Sequence, residues 1–342
     1  MRRLTPLLAL CPLVLSGCLP NRVVLDLAPG DGEFERSVVL TEPSGTGESD
    51  GLIVLIPLDG FIGLTPSPGL FQGRGNAVDG VVARLREAER DPDVRAVVLR
   101  INSPGGTASA SETLASEIEA FRARTGKPII ASCAEVTTSG GYYAALSCDA
   151  IVAQPSTILG SIGVIVQTFN VSEAMRRLGI EGRAVTSRSN KDIANPFESP
   201  EEAHYELLQE MVDGLYAQFV DHVRKHRDAI EASRLDELTD GRVLLAETAL
   251  EAGLIDAVGG VHDAMRRAMG LADLESASLV AYHTEGRPVR TPYASAISLD
   301  PSISSNSGGT VNEVNLVQFR FGAGAPDALS PGFYYLWWPG MP

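Results

Sequence analysis

Lysine is nearly missing from this chain. Of 28 basic residues only Lys127, Lys191 and Lys225 are lysines, and the rest are arginines. A guanidinium does not release its proton in a protein, so few basic side chains here could act as a proton acceptor. Histidine is also scarce. His204, His222 and His226 fall in one helical stretch, and His262 and His283 lie in the C-terminal third. Acidic residues number 43, giving a net charge of −15, which excludes the basic stripe that a nucleic-acid partner demands. No internal apolar run reaches the roughly 20 residues of a membrane-crossing helix. Both tryptophans, Trp337 and Trp338, stand in one cluster near the C-terminus.

The N-terminal segment has the form of a targeting signal. Arg2 and Arg3 precede an apolar stretch from Leu4 to Leu15, and Leu15-Ser16-Gly17-Cys18 closes it. Small residues before a cysteine resemble a bacterial lipoprotein signal, the alternative being a plain secretory peptide cut nearby. Residues 1–17 are then removed, and acylated Cys18 holds the protein to membrane lipid. The expected place is the bacterial cell envelope, facing the periplasm. Leu19, not an acidic residue, favours the outer membrane over the inner. Residues 18–50 are rich in Gly, Pro, Ser, Asp and Glu and read as a flexible tether. Two cysteines remain, Cys133 and Cys148. Their places in a strand–helix unit put them too far apart for a bridge, so two buried free thiols are expected.

Residues 51–290 read as one α/β domain. Strands are expected at Leu52–Leu58, Val94–Ile101, Pro128–Ser132, Ala150–Ala153, Ile162–Val166 and Arg183–Thr186. Helices are expected at 76–90, 107–123, 139–147 and 171–178, over a long stretch from 199 to 230, and at 244–255. In the first, Val78, Val81, Val82 and Leu85 share one face. Strands alternating with helices predict a mostly parallel sheet with crossover helices.

Two turns carry the chemistry. Asn102-Ser103-Pro104-Gly105-Gly106 and Thr137-Thr138-Ser139-Gly140-Gly141 each follow a strand and open a helix. In a parallel sheet this is where functional loops gather. Their backbone N–H groups point outward at the positive helix end, and glycine lets a carbonyl come close. Gly105 and Gly106, with Gly140, are candidate oxyanion donors. Ser139 is a candidate nucleophile, which needs a base. No histidine sits near either turn, whereas Lys191 stands in Ser189-Asn190-Lys191-Asp192-Ile193, and a lysine kept neutral can take a serine proton. Such equipment uses no metal and no cofactor. The spacing of His222 and His226 could suit a metal, but no carboxylate motif accompanies them, so they read as a solvated helix face.

Four segments in register raise this further. Asn102 to Gly106, Thr138-Ser139-Gly140-Gly141-Tyr142-Tyr143, Leu159-Gly160-Ser161-Ile162-Gly163-Val164 and Lys191-Asp192-Ile193 together resemble the signal peptide peptidase A family of serine–lysine peptidases. Gly241-Arg242-Val243 and Gly253-Leu254-Ile255-Asp256 continue the likeness. The resemblance implies a Clp protease/crotonase-like fold, Ser139 as nucleophile and Lys191 as general base. It also implies Ser161 as the hydroxyl that orients the lysine, and hydrophobic peptides such as signal-peptide remnants as substrates. Two departures stand out: longer members fuse two such domains, and many use a transmembrane anchor. A single copy implies a homo-oligomer larger than a dimer, in which one subunit's lysine meets a neighbour's serine. Other classes remain: a crotonase-like acyl-transfer enzyme, or a non-catalytic envelope scaffold.

Residues 291–342 read as a flexible tail ending in Phe333-Tyr334-Tyr335-Leu336-Trp337-Trp338. Left in water, such a cluster is a liability. The membrane interface, a seam with the domain or a neighbour, and the enzyme's own groove could each bury it.

Overall fold

The computed structural model describes residues 34–42, 50–65, 76–283, 288–294 and 333–337. The signal segment, Cys18, Leu19, most of the tether and Trp338 lie outside the described residues. In chain order the elements are β1 (Glu35–Glu42), β2 (Leu52–Asp59), α1 (Ala77–Arg90), β3 (Val94–Ser103), β4 (Gly105–Thr107), α2 (Ala108–Thr125), β5 (Ile129–Thr138) and α3 (Gly140–Leu146). They continue with β6 (Ala150–Ala153), β7 (Ile158–Gly160), β8 (Ile165–Val166), α4 (Ser172–Arg177), a 3-10 turn (Ser189–Asp192), α5 (Glu202–His226) and α6 (Ala232–Leu238). The last are β9 (Val243–Leu245), α7 (Ala246–Glu251), β10 (Ala257–Val258), α8 (Val261–Leu271), β11 (Ala277–His283) and β12 (Phe333–Leu336).

The main sheet runs β1-β11-β2-β3-β5-β6-β10. Every neighbour in it is parallel except β1, which pairs antiparallel with β11. A parallel sheet is covered on both faces, so its strands read as continuous apolar runs. In β2, Val54, Ile56 and Leu58 face a core made with α1, α2, α3 and α5, while Ile53 and Leu55 face α8. α1 begins where the Asn76 side chain accepts the Asp79 N–H at 2.9 Å, and it buries the predicted apolar face together with Ala88. α2 ends at Gly126, whose φ of 68° suits the left-handed cap that glycine supplies at low cost.

β5 forks. Ile130 to Cys133 pair with β6, then Val136 to Thr138 pair with β7. β9 closes the edge of β7 in the antiparallel sense. Ser139 stands directly after the end of β5, where that strand lies between β3 and β7.

Several elements differ from expectation. The segment read as tether contains β1, an edge strand with only one buried residue, Val39, too polar to show in composition. The expected strand 162–166 is split: β7 lies before Ser161 and β8 after Val164. Residues 183–186 form no strand, and Val185 is almost wholly exposed. The long helix stops at His226, with α6 after a break, and the start of the expected 244–255 helix is β9. Cys133 and Cys148 are buried free thiols, as expected, and burial pushes Cys133 up to about 12. Among the described residues no helix is long and apolar enough to cross a membrane.

Candidate active site

Ser139 occupies the single residue between β5 and α3. Its φ of 51° and ψ of −117° lie outside the usual space of a residue with a side chain. Two backbone bonds hold it there: its N–H donates to the Gly160 carbonyl at 2.8 Å, and its carbonyl accepts from Tyr143 N–H at 2.8 Å. A serine forced onto a sharp strand-to-helix turn presents its hydroxyl at the end of the sheet. Ser139 is buried at 1% exposure, and its Oγ has no hydrogen-bond partner among the described residues. An orphaned buried hydroxyl is uncommon in a folded protein and asks for a functional account.

The three glycines converge beside it. Gly105 has φ of 108°, and a Cβ there would stand 2.8 Å from the Gly140 nitrogen and would clash with the Tyr335 carbonyl oxygen. A Cβ on Gly140 would stand 3.1 Å from the Gly106 nitrogen and 3.1 Å from that same carbonyl oxygen. Gly106 has no room either, because Ile62 lies against it: Thr107 N–H donates to the Ile62 carbonyl at 3.0 Å. The Gly105 N–H meets the Ser103 Oγ at 3.1 Å, so Ser103 stiffens this turn.

Ser161 stands at the matching place on the neighbouring strand. Thr138 pairs with Gly160, so Ser139 and Ser161 follow paired residues, and both have positive φ. Ser161 N–H donates to the Arg242 carbonyl at 2.7 Å, which ties the Gly241-Arg242-Val243 segment to the site.

Lys191 lies elsewhere within this chain. It sits exposed in the 3-10 turn, and its ammonium is not bonded to Ser139. The turn is anchored from behind, where buried His204 on α5 meets the Ser189 carbonyl at 3.0 Å. Around it runs an arm with exposed apolar side chains: Phe169, Val171, Leu178, Ile180, Val185 and Phe197.

The C-terminal aromatic cluster lies across the site. β12 pairs antiparallel with β4 on one side and with β8 on the other. Tyr334 faces Thr107, Tyr335 faces Gly106 and Leu336 faces Gly105, and Trp337 N–H donates to the Pro104 carbonyl at 2.8 Å. Tyr335 is fully buried. Its ring packs 5.3 Å from Tyr143 and 4.8 Å from Phe219, and its hydroxyl donates to the Leu215 carbonyl at 3.0 Å. Burial pushes the phenol of Tyr143 up to about 12, so it stays neutral at pH 7. The strand thus runs along the glycine turn, with the Tyr335 carbonyl against Gly105 and Gly140. Sequence reasoning missed this pocket. Phe219 and Leu215 fall on the apolar face of α5, which periodicity cannot tell from core.

His222 and His226 are not the solvated face expected of them. Both are partly buried, and Glu119 of α2 supplies the carboxylate that local sequence lacked. Burial, helped by His226, lowers His222 to about 4.

Known peptidases resemble this chain. The model of peptidase family S49 matches residues 122–275. A protein of Enterococcus faecium provisionally named signal peptide peptidase SppA is 30% identical over 80% of this chain and 83% of its own length. Protease 4 of Salmonella typhi is 33% identical over 72% of this chain, which spans 38% of that longer protein. The solved structure of the 1510-N membrane-bound stomatin-specific protease covers 64% of this chain and 85% of its own, at 16% identity and a TM-score of 0.41. With its mostly parallel α/β fold, this chain belongs to peptidase family S49, the signal peptide peptidase A family, and is a serine-type peptidase.

Proposed function

We propose that this protein is a lipid-anchored endopeptidase of the bacterial envelope. It cleaves extended hydrophobic peptides such as signal-peptide remnants. Ser139 is the nucleophile, and a second copy of the chain supplies Lys191 as base. The observation that carries this is the pairing of two incomplete halves. Ser139 Oγ is buried, strained into place and without a partner, while Lys191 stands exposed on an apolar arm. An exposed apolar surface of this kind marks an interface, and a head-to-tail contact that closes gives a ring.

In the assembled site Ser139 Oγ attacks the peptide carbonyl and neutral Lys191 takes its proton. The developing oxyanion meets the backbone N–H groups of Gly106 and Gly140, where one donor is worth about 3 kcal/mol, while the Gly105 N–H stays on Ser103 and holds the turn. The lysine returns the proton to the leaving amine as the C–N bond breaks. Water, deprotonated by the lysine, then hydrolyses the acyl-enzyme and restores Ser139. Ser161 holds the lysine amine in line.

A fluorophosphonate probe should label Ser139 in the full chain. Absence of labelling in folded, assembled protein would favour a scaffold or an acyl-CoA enzyme. Light scattering should show an assembly larger than a dimer. Mixed and reassembled, inactive Ser139→Ala and Lys191→Ala chains should recover activity, at about a quarter of the sites in a random ring. A fully active monomer, or no recovery from mixed rings, would place the base within one copy.

A further inference from the structure

A second cluster of chemically capable side chains lies behind the groove, on the far side of Tyr143. α5 carries His222 and His226 one turn apart, which puts both rings on one helix face. α2 brings Glu119 to the same place. One donor atom from each lies within 4.8 Å of the other two, and among the described residues this is the one such group of three. We propose that Glu119, His222 and His226 bind a divalent transition-metal ion of the zinc class, which clamps α2 to α5.

The donor set suits that ion. Two imidazoles and a carboxylate, with water in the fourth place, are a common tetrahedral arrangement for zinc. His222 Nε2 is 3.1 Å from the Tyr143 carbonyl, which can only accept, so Nε2 carries the proton and Nδ1 keeps its lone pair. A metal-binding histidine characteristically gives its other N–H to such a carbonyl, which fixes the tautomer. His226 Nε2 now donates to Glu119 Oε1 at 2.9 Å. Moving that proton to Nδ1 frees Nε2 for the ion at no change of charge.

A cation already stands on this carboxylate. The Lys225 ammonium meets Glu119 Oε1 at 2.7 Å and Oε2 at 2.9 Å, from a side chain that is 58% exposed. An exposed pair of this kind holds weakly, so a dication can displace Lys225 into solvent. This separates the proposal from a plain ion-pair account, in which Lys225 supports the cluster instead of competing for it. The ion would not touch the reacting groups. The His222 ring lies 4.1 Å from Tyr143, and Tyr143 in turn walls the Tyr335 pocket, so a bound ion stiffens the back of that pocket.

The test is calorimetric titration of zinc into the EDTA-stripped and dialysed full chain in detergent, carrying Ser139→Ala to prevent self-digestion. One ion per chain is expected, together with a rise in Tm, since an ion that binds the folded state stabilises it. Glu119→Gln and His226→Ala should each weaken binding at least about tenfold, and Lys225→Met should tighten it. No bound ion would overturn the proposal. Affinity unchanged in both folded ligand variants would overturn it too, because the ion would then sit elsewhere. So would weaker binding in Lys225→Met, whose altered side chain is at the surface and leaves the core untouched.

Discussion

Ser139→Ala in the purified, folded enzyme is expected to lower peptide hydrolysis by about 10⁴-fold or more. No neighbouring group can stand in for it. Thr138 Oγ1 is also buried and unpartnered, but it belongs to the regular strand before the turn. Ser161 sits in the adjacent turn, where its assigned part is to steer the base. Lys191→Ala should cost nearly as much, because members of one proton-transfer unit do not contribute additively. Lys191→Arg should be equally inactive, since guanidinium keeps its proton. Steady-state turnover, with circular dichroism to verify the fold, reads all three. Retained turnover in Ser139→Ala would remove the nucleophile assignment. Retained turnover in Lys191→Arg would remove only the proton-acceptor role.

The sheet was legible because its strands are buried on both faces. Leu52 to Leu58 and Val94 to Ile101 are near-continuous apolar runs, and the first is followed by a helix with a clear apolar stripe. β1 was not legible. An edge strand buries little, and the eight residues Glu35–Glu42 owe their place to pairing with β11, a contact some 240 positions away in sequence. The strand expected at 183–186 failed for the opposite reason. Its local pattern was adequate, but among the described residues it pairs with no strand.

At the site, local chemistry was readable and distance was not. The turns at Gly105 and Ser139 could be placed at strand–helix junctions from local sequence, where a tight turn without a ligand is also common, and the family resemblance supplied their expected roles. That Thr138 pairs with Gly160, bringing Ser161 beside Ser139, depends on the fork in β5, which no periodicity records. Glu119 joins the two histidines across 107 positions between Glu119 and His226, so the helix sequence alone suggested no carboxylate. The aromatic cluster was conspicuous in the sequence, yet its partner strands β4 and β8 are too short, at three and two residues, to be recognised as a groove.

Removing residues 326–342 is expected to lower the apparent Michaelis constant for short hydrophobic peptides about tenfold, with little change in kcat. β12 sits between β4 and β8 as a peptide added to two strand edges, the mode in which backbone pairing gives affinity and side-chain pockets give selectivity. Tyr335 fills such a pocket. Burying an aromatic ring of this size contributes about 2–3 kcal/mol, and the hydroxyl bond to the Leu215 carbonyl adds about 1 kcal/mol. With about 2 kcal/mol more from the backbone pairing to β4 and β8, the total of about 5.5 kcal/mol corresponds to weak binding for a free peptide, on the order of 0.1 mM. The tail is not free. A segment of the same chain faces its groove at an effective concentration on the order of 1 mM, enough to keep the groove mostly closed and still let a better peptide displace it. Competition of this kind raises the apparent Michaelis constant and leaves the saturated rate alone. Tyr335→Ala should reproduce much of the effect within the full-length chain by emptying the pocket formed by Tyr143 and Phe219. If the truncated, still-folded enzyme shows an unchanged or higher Michaelis constant, β12 is no inhibitor. It would then be a fixed strand that completes the three-stranded sheet, and peptides must enter the site by another edge.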